Sequence, residues 1–159
     1  MQVEDEDQDF FWPGISIDLS RATLFDFSLS QCQIRSGSFM GTRFYGAHSF
    51  YRTSVTDRLL FLNAQFYAAG DFRYARFPHV TSFANSHFHN DATFAMATFA
   101  GQTRFDGAVF ERQPAFSGAI AFEPTAEWPD DFPAWPDGIS FREKSDQAGW
   151  YEIVRQESS

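Results

Sequence analysis

Residues 72–88 read Phe72-Arg73-Tyr74-Ala75-Arg76-Phe77-Pro78-His79-Val80-Thr81-Ser82-Phe83-Ala84-Asn85-Ser86-His87-Phe88. Phenylalanine returns after five residues, then six, then five again. Followed outward, this eleven-residue period carries two registers. One holds Phe39, Phe50, Phe61, Phe72, Phe83, Phe94, Phe105 and Phe116 without a gap. The other holds Phe44, Phe66, Phe77, Phe88, Phe99 and Phe110, with Val55 in the one vacant place and Ala121 where it ends. A fixed period is the sequence mark of stacked repeats.

Neither regular element alone satisfies that period. At about 100° per residue, steps of five and six scatter the rings around a helix. A single strand fails as well, because alternation by two cannot keep an odd step on one face. The pattern therefore predicts short extended segments joined by turns, with one large side chain pointing inward from each. Phe, Thr, Tyr and Val suit the segments, and Gly, Asn, Asp and Ser suit the turns. Two residues before each ring of the second register stand Thr42, Thr53, Ala64, Ala75, Ser86, Ala97 and Ala108, all small. Residues two apart on an extended segment share a face, so this site lies inside beside the ring and lets layers interlock. The matching site before the first register is looser: Gly37, His48, Leu59, Gly70, Thr81, Ala92, Thr103 and Pro114.

Upstream the step is a plain five through Leu19, Leu24, Leu29, Ile34, Phe39 and Phe44, with Ala22, Cys32 and Gly37 at the small site and Phe27 breaking it. With these units, and with Ala75-Arg76-Phe77, Ala97-Thr98-Phe99 and Phe105-Asp106-Gly107-Ala108-Val109-Phe110, the chain resembles the pentapeptide-repeat family in a Phe-rich, eleven-residue form. The resemblance spans roughly Ile17 to Phe122. It implies an all-β fold, a right-handed quadrilateral β-helix of about five coils in which each unit makes one side. Residues 22 apart then stack. Phe39, Phe61, Phe83 and Phe105 make one column, and Phe44, Phe66, Phe88 and Phe110 the next. Phe50, Phe72, Phe94 and Phe116 make the third, and Val55, Phe77 and Phe99 the fourth. Successive coils are expected about 4.8 Å apart, the usual strand spacing.

The chain of 159 residues divides into an acidic leader and N-terminal cap (1–16), the repeat (17–122) and a Pro/Trp-rich C-terminal cap (123–159). Residues 1–14, 15–122 and 123–159 carry net −5, +2 and −6, which make up the total of −9. The acidity thus belongs to the ends. No apolar run reaches the roughly 18–20 residues of a membrane span. The acidic start lacks the features of a signal peptide, so a soluble cytoplasmic protein is expected. Cys32 is the sole cysteine and reads as a small buried apolar residue.

Solenoid ends need covering. Phe10, Phe11, Trp12 and Ile15 offer apolar surface at one end. At the other, Trp128-Pro129-Asp130 recurs as Trp135-Pro136-Asp137, Ile139 and Phe141 suit a last strand, and Ser145 is placed to cap a short helix bearing Trp150, Tyr151, Ile153 and Val154. Trp128, Trp135, Trp150 and Tyr151 serve either as cap or as an interface, including a homodimer through an end, since such side chains dominate binding hot spots.

Chemistry-bearing groups are sparse. His87 and His89 straddle Phe88 and point outward. Their neighbours one coil away are Gln65 and Val109 for the first, Tyr67 and Glu111 for the second, so a three- or four-ligand metal site is not in view. His48 falls at the looser inward site and His79 in a turn. Asp130 and Asp131 do not converge on one substrate, and phosphate loops, dinucleotide fingerprints and nucleophile elbows are missing. The expectation is no catalytic residue, no cofactor and no metal. Outward Arg43, Arg52, Arg58, Arg73, Arg76, Arg104 and Arg112, near Tyr45, Tyr51, Tyr67 and Tyr74, are interrupted by Asp57, Asp71, Asp106 and Glu111, which argues against nucleic acid. A non-enzymatic scaffold for an unknown protein partner is the expected function. The alternative carried by the resemblance is a DNA mimic that binds DNA gyrase and protects it from quinolone-like inhibitors. Mimicry needs an acidic wall, and this wall nets +2.

Overall fold

The computed structural model describes residues 14–77, 79–125 and 134–156. The leader, Phe10, Phe11, Trp12, Trp128, Asp130 and Asp131 lie outside them. Among the described residues there are 18 strands and no helix. Nearly all are short and pair in parallel with the strand one coil away. The chain winds as a four-sided β-solenoid of about five turns.

Coil length changes along the axis. Ser16 pairs with Ser36 and Thr23 with Arg43, a step of 20. Ser28 bridges Ser49, a step of 21, and Ser36 pairs with Arg58, a step of 22 that persists thereafter. The irregularity between Ile34 and Ser36 marks the second added residue. The plain five-residue steps upstream thus make a smaller coil filled by aliphatic side chains, and the larger coils take rings.

Those rings fill the interior in four columns. Phe39, Phe61, Phe83 and Phe105 stack with centroids 5.1, 4.8 and 4.9 Å apart. In the second column Phe44, Phe66, Phe88 and Phe110 stack at 4.8, 4.3 and 4.6 Å. Phe50, Phe72, Phe94 and Phe116 follow at 5.1, 4.8 and 5.0 Å in the third. In the fourth, Phe77 and Phe99 lie 5.0 Å apart, tilted. Between columns the rings meet edge to face, as Phe50 and Phe61 do at 5.2 Å and 90°. Parallel-displaced and T-shaped contacts are the arrangements that ring quadrupoles favour. Phe110, beside the last coil, is half-buried, and the other thirteen rings of these columns are buried.

The five-residue steps turn tightly. Ala64 N–H donates to Phe61 O at 3.1 Å and Ala97 N–H to Phe94 O at 3.0 Å, and the bond recurs at each such corner from Ala22 to Ala119. The third residue of each turn has positive φ: Arg21, Gly41, Asn63, Asn85 and Gly107 at one corner, Gln31, Arg52, Tyr74, Met96 and Gly118 at the other. Turns of this kind need a left-handed residue at that place. The small site thus closes the turn as well as lying inside. Where it carries a hydroxyl, the group is satisfied: Thr42 Oγ1 donates to Leu19 O at 2.7 Å, Thr53 Oγ1 to Leu29 O at 2.8 Å and Ser86 Oγ to Phe83 O at 2.6 Å.

At the looser inward site, a glycine lies one coil from a larger side chain in each of two columns. A Cβ on Gly37 would meet Leu59 Cδ1 at 2.9 Å, and one on Gly70 would meet His48 Nε2 at 2.6 Å. Each glycine makes room for the larger neighbour. Phe27 occupies the same site in the first coil. Its ring packs 5.6, 6.1 and 5.9 Å from Phe39, Phe44 and Phe50, spreading beneath three columns.

The other end is closed by a different device. Phe105 N–H donates to Ala134 O at 2.6 Å, so residue 134 begins a further partial coil. Trp135 then lies over the ring columns, 5.3 Å from Phe99, 5.7 Å from Phe105 and 6.4 Å from Phe116, with Nε1 donating to Pro124 O at 3.1 Å. Ile139–Glu143 and Trp150–Arg155 form an antiparallel hairpin, and the second strand pairs antiparallel with Ile120–Phe122. The helix anticipated after Ser145 is therefore a strand. Trp, Tyr, Ile and Val favour extended backbone, Gly149 at φ 80° ends the preceding turn, and the open sheet edge at Ile120–Phe122 gains a partner.

Candidate functional site

One wall differs from the rest on its outer side. Its strands carry the Phe44 column inward and, one residue later, Phe25, Tyr45, Tyr67, His89 and Glu111 outward. Alternation along a strand places neighbours on opposite faces, and a regular coil height stacks the outward set into a second ladder. Phe25 and Tyr45 stack at 5.4 Å, Tyr45 and Tyr67 at 4.6 Å, and Tyr67 and His89 at 4.7 Å. Phe25 is 72% exposed, which is unusual for a ring that the coil could have buried by a change of one register position.

The histidines sit at the top of this ladder. Backbone register places His87 between Gln65 and Val109. Their side chains lean diagonally instead. His87 Nε2 lies 2.6 Å from Glu111 Oε1, and His89 Nε2 lies 2.9 Å from Gln65 Oε1. The two imidazoles stack with centroids 3.8 Å apart. Ligand atoms of His87, His89 and Glu111 all fall within 4.8 Å of one another. Sequence reasoning assigned Glu111 to His89 and saw no complete set of ligands. The missing signal is the lean of side chains along the strand, which register alone does not carry.

One set of corner turns bears Tyr51, Arg52, Arg73 and Tyr74. Arg52 Cζ lies 5.3 Å from the Tyr51 ring and 5.0 Å from the Tyr74 ring, and Arg73 Cζ lies 5.2 Å from Tyr51. Arg73 also grips Asp71, Nε to Oδ1 at 2.9 Å and Nη2 to Oδ2 at 2.8 Å. Burial alone would raise the Asp71 pKa, but the hydrogen bonds and charge of Arg73 outweigh it and hold the carboxyl below its ordinary value. Elsewhere Arg58 pairs with Asp57, Arg104 with Asp106 and Arg112 with Asp91. Asp57, Asp71, Asp91 and Asp106 on the outer surface are each paired with an arginine.

Other singled-out groups have plain surroundings. Cys32 is buried, and burial pushes its thiol pKa up, away from reactivity. His48 is buried between Phe44 and Phe66, each ring centroid 5.2 Å away. Its Nδ1 lies 3.3 Å from Gly46 O and its Nε2 has no partner, while burial lowers its pKa. His79 is exposed. Trp135 faces the ring columns. Trp150 and Tyr151 are half-buried on the hairpin strand, with Trp150 5.4 Å from Phe122. Between hairpin and last coil lies a cleft of about 450 Å³ lined in part by Phe116, Ile120, Ile139 and Ile153. Arg142 and Glu152 at its rim pair with each other at 2.7 Å.

A coiled, four-sided parallel β-stack with one inward ring per side defines a class of repeat solenoid. A family model described as pentapeptide repeats (9 copies) matches residues 83–122, about a quarter of the chain. That match supports the pentapeptide-repeat reading of the sequence. No curated protein and no solved structure matches it. Among the described residues, no helix is long and apolar enough to cross a membrane.

Proposed function

We propose that this repeat scaffold is a non-enzymatic protein-interaction module, and that the wall bearing Phe25, Tyr45 and Tyr67 is its docking face. The observation that carries the reading is the outward aromatic ladder with Phe25 72% exposed. Rings that stand proud of a flat, stiff sheet add large contact area at little entropic cost, which is why aromatic side chains recur at binding hot spots. The filled interior supports the non-enzymatic half, since ring columns occupy the axis among the described residues. The partner is a protein with an apolar patch that can lie along one wall.

Affinity capture with the wild-type chain and with a Phe25→Ser/Tyr67→Ser variant, followed by cross-linking, tests this. A partner recovered by the first and lost by a folded form of the second supports the assignment. Equal recovery would move the docking face elsewhere. The gyrase-mimic reading has less support, because Asp57, Asp71, Asp91, Asp106 and Glu111 on the walls each face an arginine or histidine. A gyrase supercoiling assay showing inhibition or drug protection would reverse that order.

A further inference from the structure

The histidine pair at the top of the aromatic ladder has a use that the scaffold reading does not need. We propose that His87, His89 and Glu111 form a surface site for a divalent transition-metal ion of the imidazole-preferring kind, such as Zn²⁺, Cu²⁺ or Ni²⁺.

The argument starts from the strand. A His-X-His pair on extended backbone sends both rings to the same side, and here the residue between them, Phe88, is locked in the second ring column. The buried ring anchors the strand, so the two imidazoles are presented from a fixed base. The next coil supplies the carboxylate. Glu111 follows Phe110, which stacks on Phe88 at 4.6 Å, and its Oε1 already lies 2.6 Å from His87 Nε2. The previous coil supplies a fourth polar group, Gln65, whose Oε1 lies 2.9 Å from His89 Nε2.

The distances suit a metal entering this cluster. With metal–ligand bonds of about 2.0–2.2 Å, tetrahedral ligand atoms stand roughly 3.3–3.6 Å apart. That falls between the 2.6 Å of the His87–Glu111 pair and the 4.8 Å that bounds the whole set. Side-chain rotation on a half-exposed wall covers the difference. Three protein ligands leave a position open to solvent. Two nitrogens and one carboxylate favour zinc, copper or nickel over calcium and magnesium, which prefer all-oxygen shells.

The site is particular to one coil. In the same two outward columns, the coils below place Thr23, Arg43 and Gln65, and Phe25, Tyr45 and Tyr67. None of these is an imidazole. The repeat therefore supplies the geometry, and this coil alone supplies the imidazoles in these columns among the described residues.

Isothermal titration of the tag-free full chain with Zn²⁺ in a non-chelating buffer tests the site. Saturable binding of a single equivalent is expected, lost in His87→Asn and in His89→Asn, weakened about tenfold in Glu111→Gln, and unchanged in His79→Asn. Titration with Co²⁺ gives a second readout, because nitrogen ligation in a four-coordinate site brings visible absorption bands that solvated Co²⁺ lacks. These bands should appear with the wild type and vanish with His87→Asn. Mg²⁺ should produce no heat above dilution. Wild-type protein that fails to saturate at millimolar Zn²⁺ would overturn the proposal, as would full binding by a His87→Asn/His89→Asn variant.

Discussion

Phe66 and Tyr67 are neighbours on one strand, and each belongs to a ladder of stacked rings. Inside, Phe44, Phe66, Phe88 and Phe110 stand 4.3–4.8 Å apart. Outside, Phe25, Tyr45, Tyr67 and His89 stand 4.6–5.4 Å apart. The spacing is almost the same because the backbone, paired coil to coil, sets it in both cases. What differs is water. The inner rings Phe44, Phe66 and Phe88 have none, and truncating one leaves a void bounded by other rings. The outer rings keep solvent along one edge, and truncating one leaves only a shorter side chain. Stacking geometry therefore says little about energy here, and burial decides it.

The sharpest break of that comparison is a pair of alanine variants. Phe66→Ala, or Phe83→Ala in the first column, should cost about 3–5 kcal/mol, the range for a large ring removed from a close-packed core. Denaturant unfolding would show it as a lower midpoint, and an unchanged midpoint would refute the columns. Gly70→Ala tests the interior from the opposite direction. The added methyl meets His48 Nε2 and Phe72 Cε2 at 2.6 and 3.1 Å, so a loss of about 1–3 kcal/mol from overpacking is expected. Pairing it with His48→Ala should restore part of that loss.

His48 also links the core to pH. Burial lowers its pKa from the ordinary 6.5, so the unfolded chain takes up the proton first. Stability should be constant with respect to this group above about pH 6.5 and should fall as pH drops below it, until the folded form is protonated too. His48→Leu, which copies Leu59 over Gly37, should flatten the stability profile between pH 7 and 5. Melting temperatures across that range would check it, and a slope equal to that of the wild type would assign the effect to other groups.

On the outer ladder, Tyr67→Ala should cost about 1 kcal/mol or less, the scale of a solvent-facing aromatic contact. A loss as large as that of Phe66→Ala would erase the distinction drawn between the ladders. The smallest effect has the opposite sign. Met96 has φ 61° at a corner that Gly118 occupies one coil later. Met96→Gly should leave stability unchanged or raise it by up to about 1 kcal/mol, because glycine adopts that region without strain. A clear drop in the melting temperature would show that the exposed thioether packs more than its surroundings suggest.

Parts of this molecule were legible residue by residue. The ring registers, with the coil of 22 that the resemblance implies, gave the columns, and the small residues two before the second register marked a crowded inward site. Gly41, Asn63, Asn85 and Gly107 even mark one left-handed corner, in residue types that tolerate positive φ. Arg52, Tyr74 and Met96 at the opposite corner carry no such mark. They hold that conformation because coil pairing on both sides leaves the backbone no alternative. The C-terminal hairpin was misread for a related reason. Trp150, Tyr151, Ile153 and Val154 fit a helical face by spacing, and pairing with Ile139–Glu143 and with the open edge at Ile120–Phe122 selects a strand. Phe27, an apparent fault at the small site, is the ring that spreads beneath three columns.

The candidate site divides in the same way. That His87 and His89 face outward follows from alternation about Phe88. That Glu111 reaches His87 rather than His89 follows from diagonal side-chain lean between coils, which no linear pattern encodes.

From its residues alone, this chain specified short extended segments joined by turns, because a period of five and six suits neither a helix nor a single strand; the four-sided coil was what the family resemblance implied. Tertiary structure decided how the stack ends, which outward side chains meet and where a buried imidazole fits. Those outcomes depend on contacts between separate coils and on open edges, and such contacts come into being only when distant segments are brought side by side.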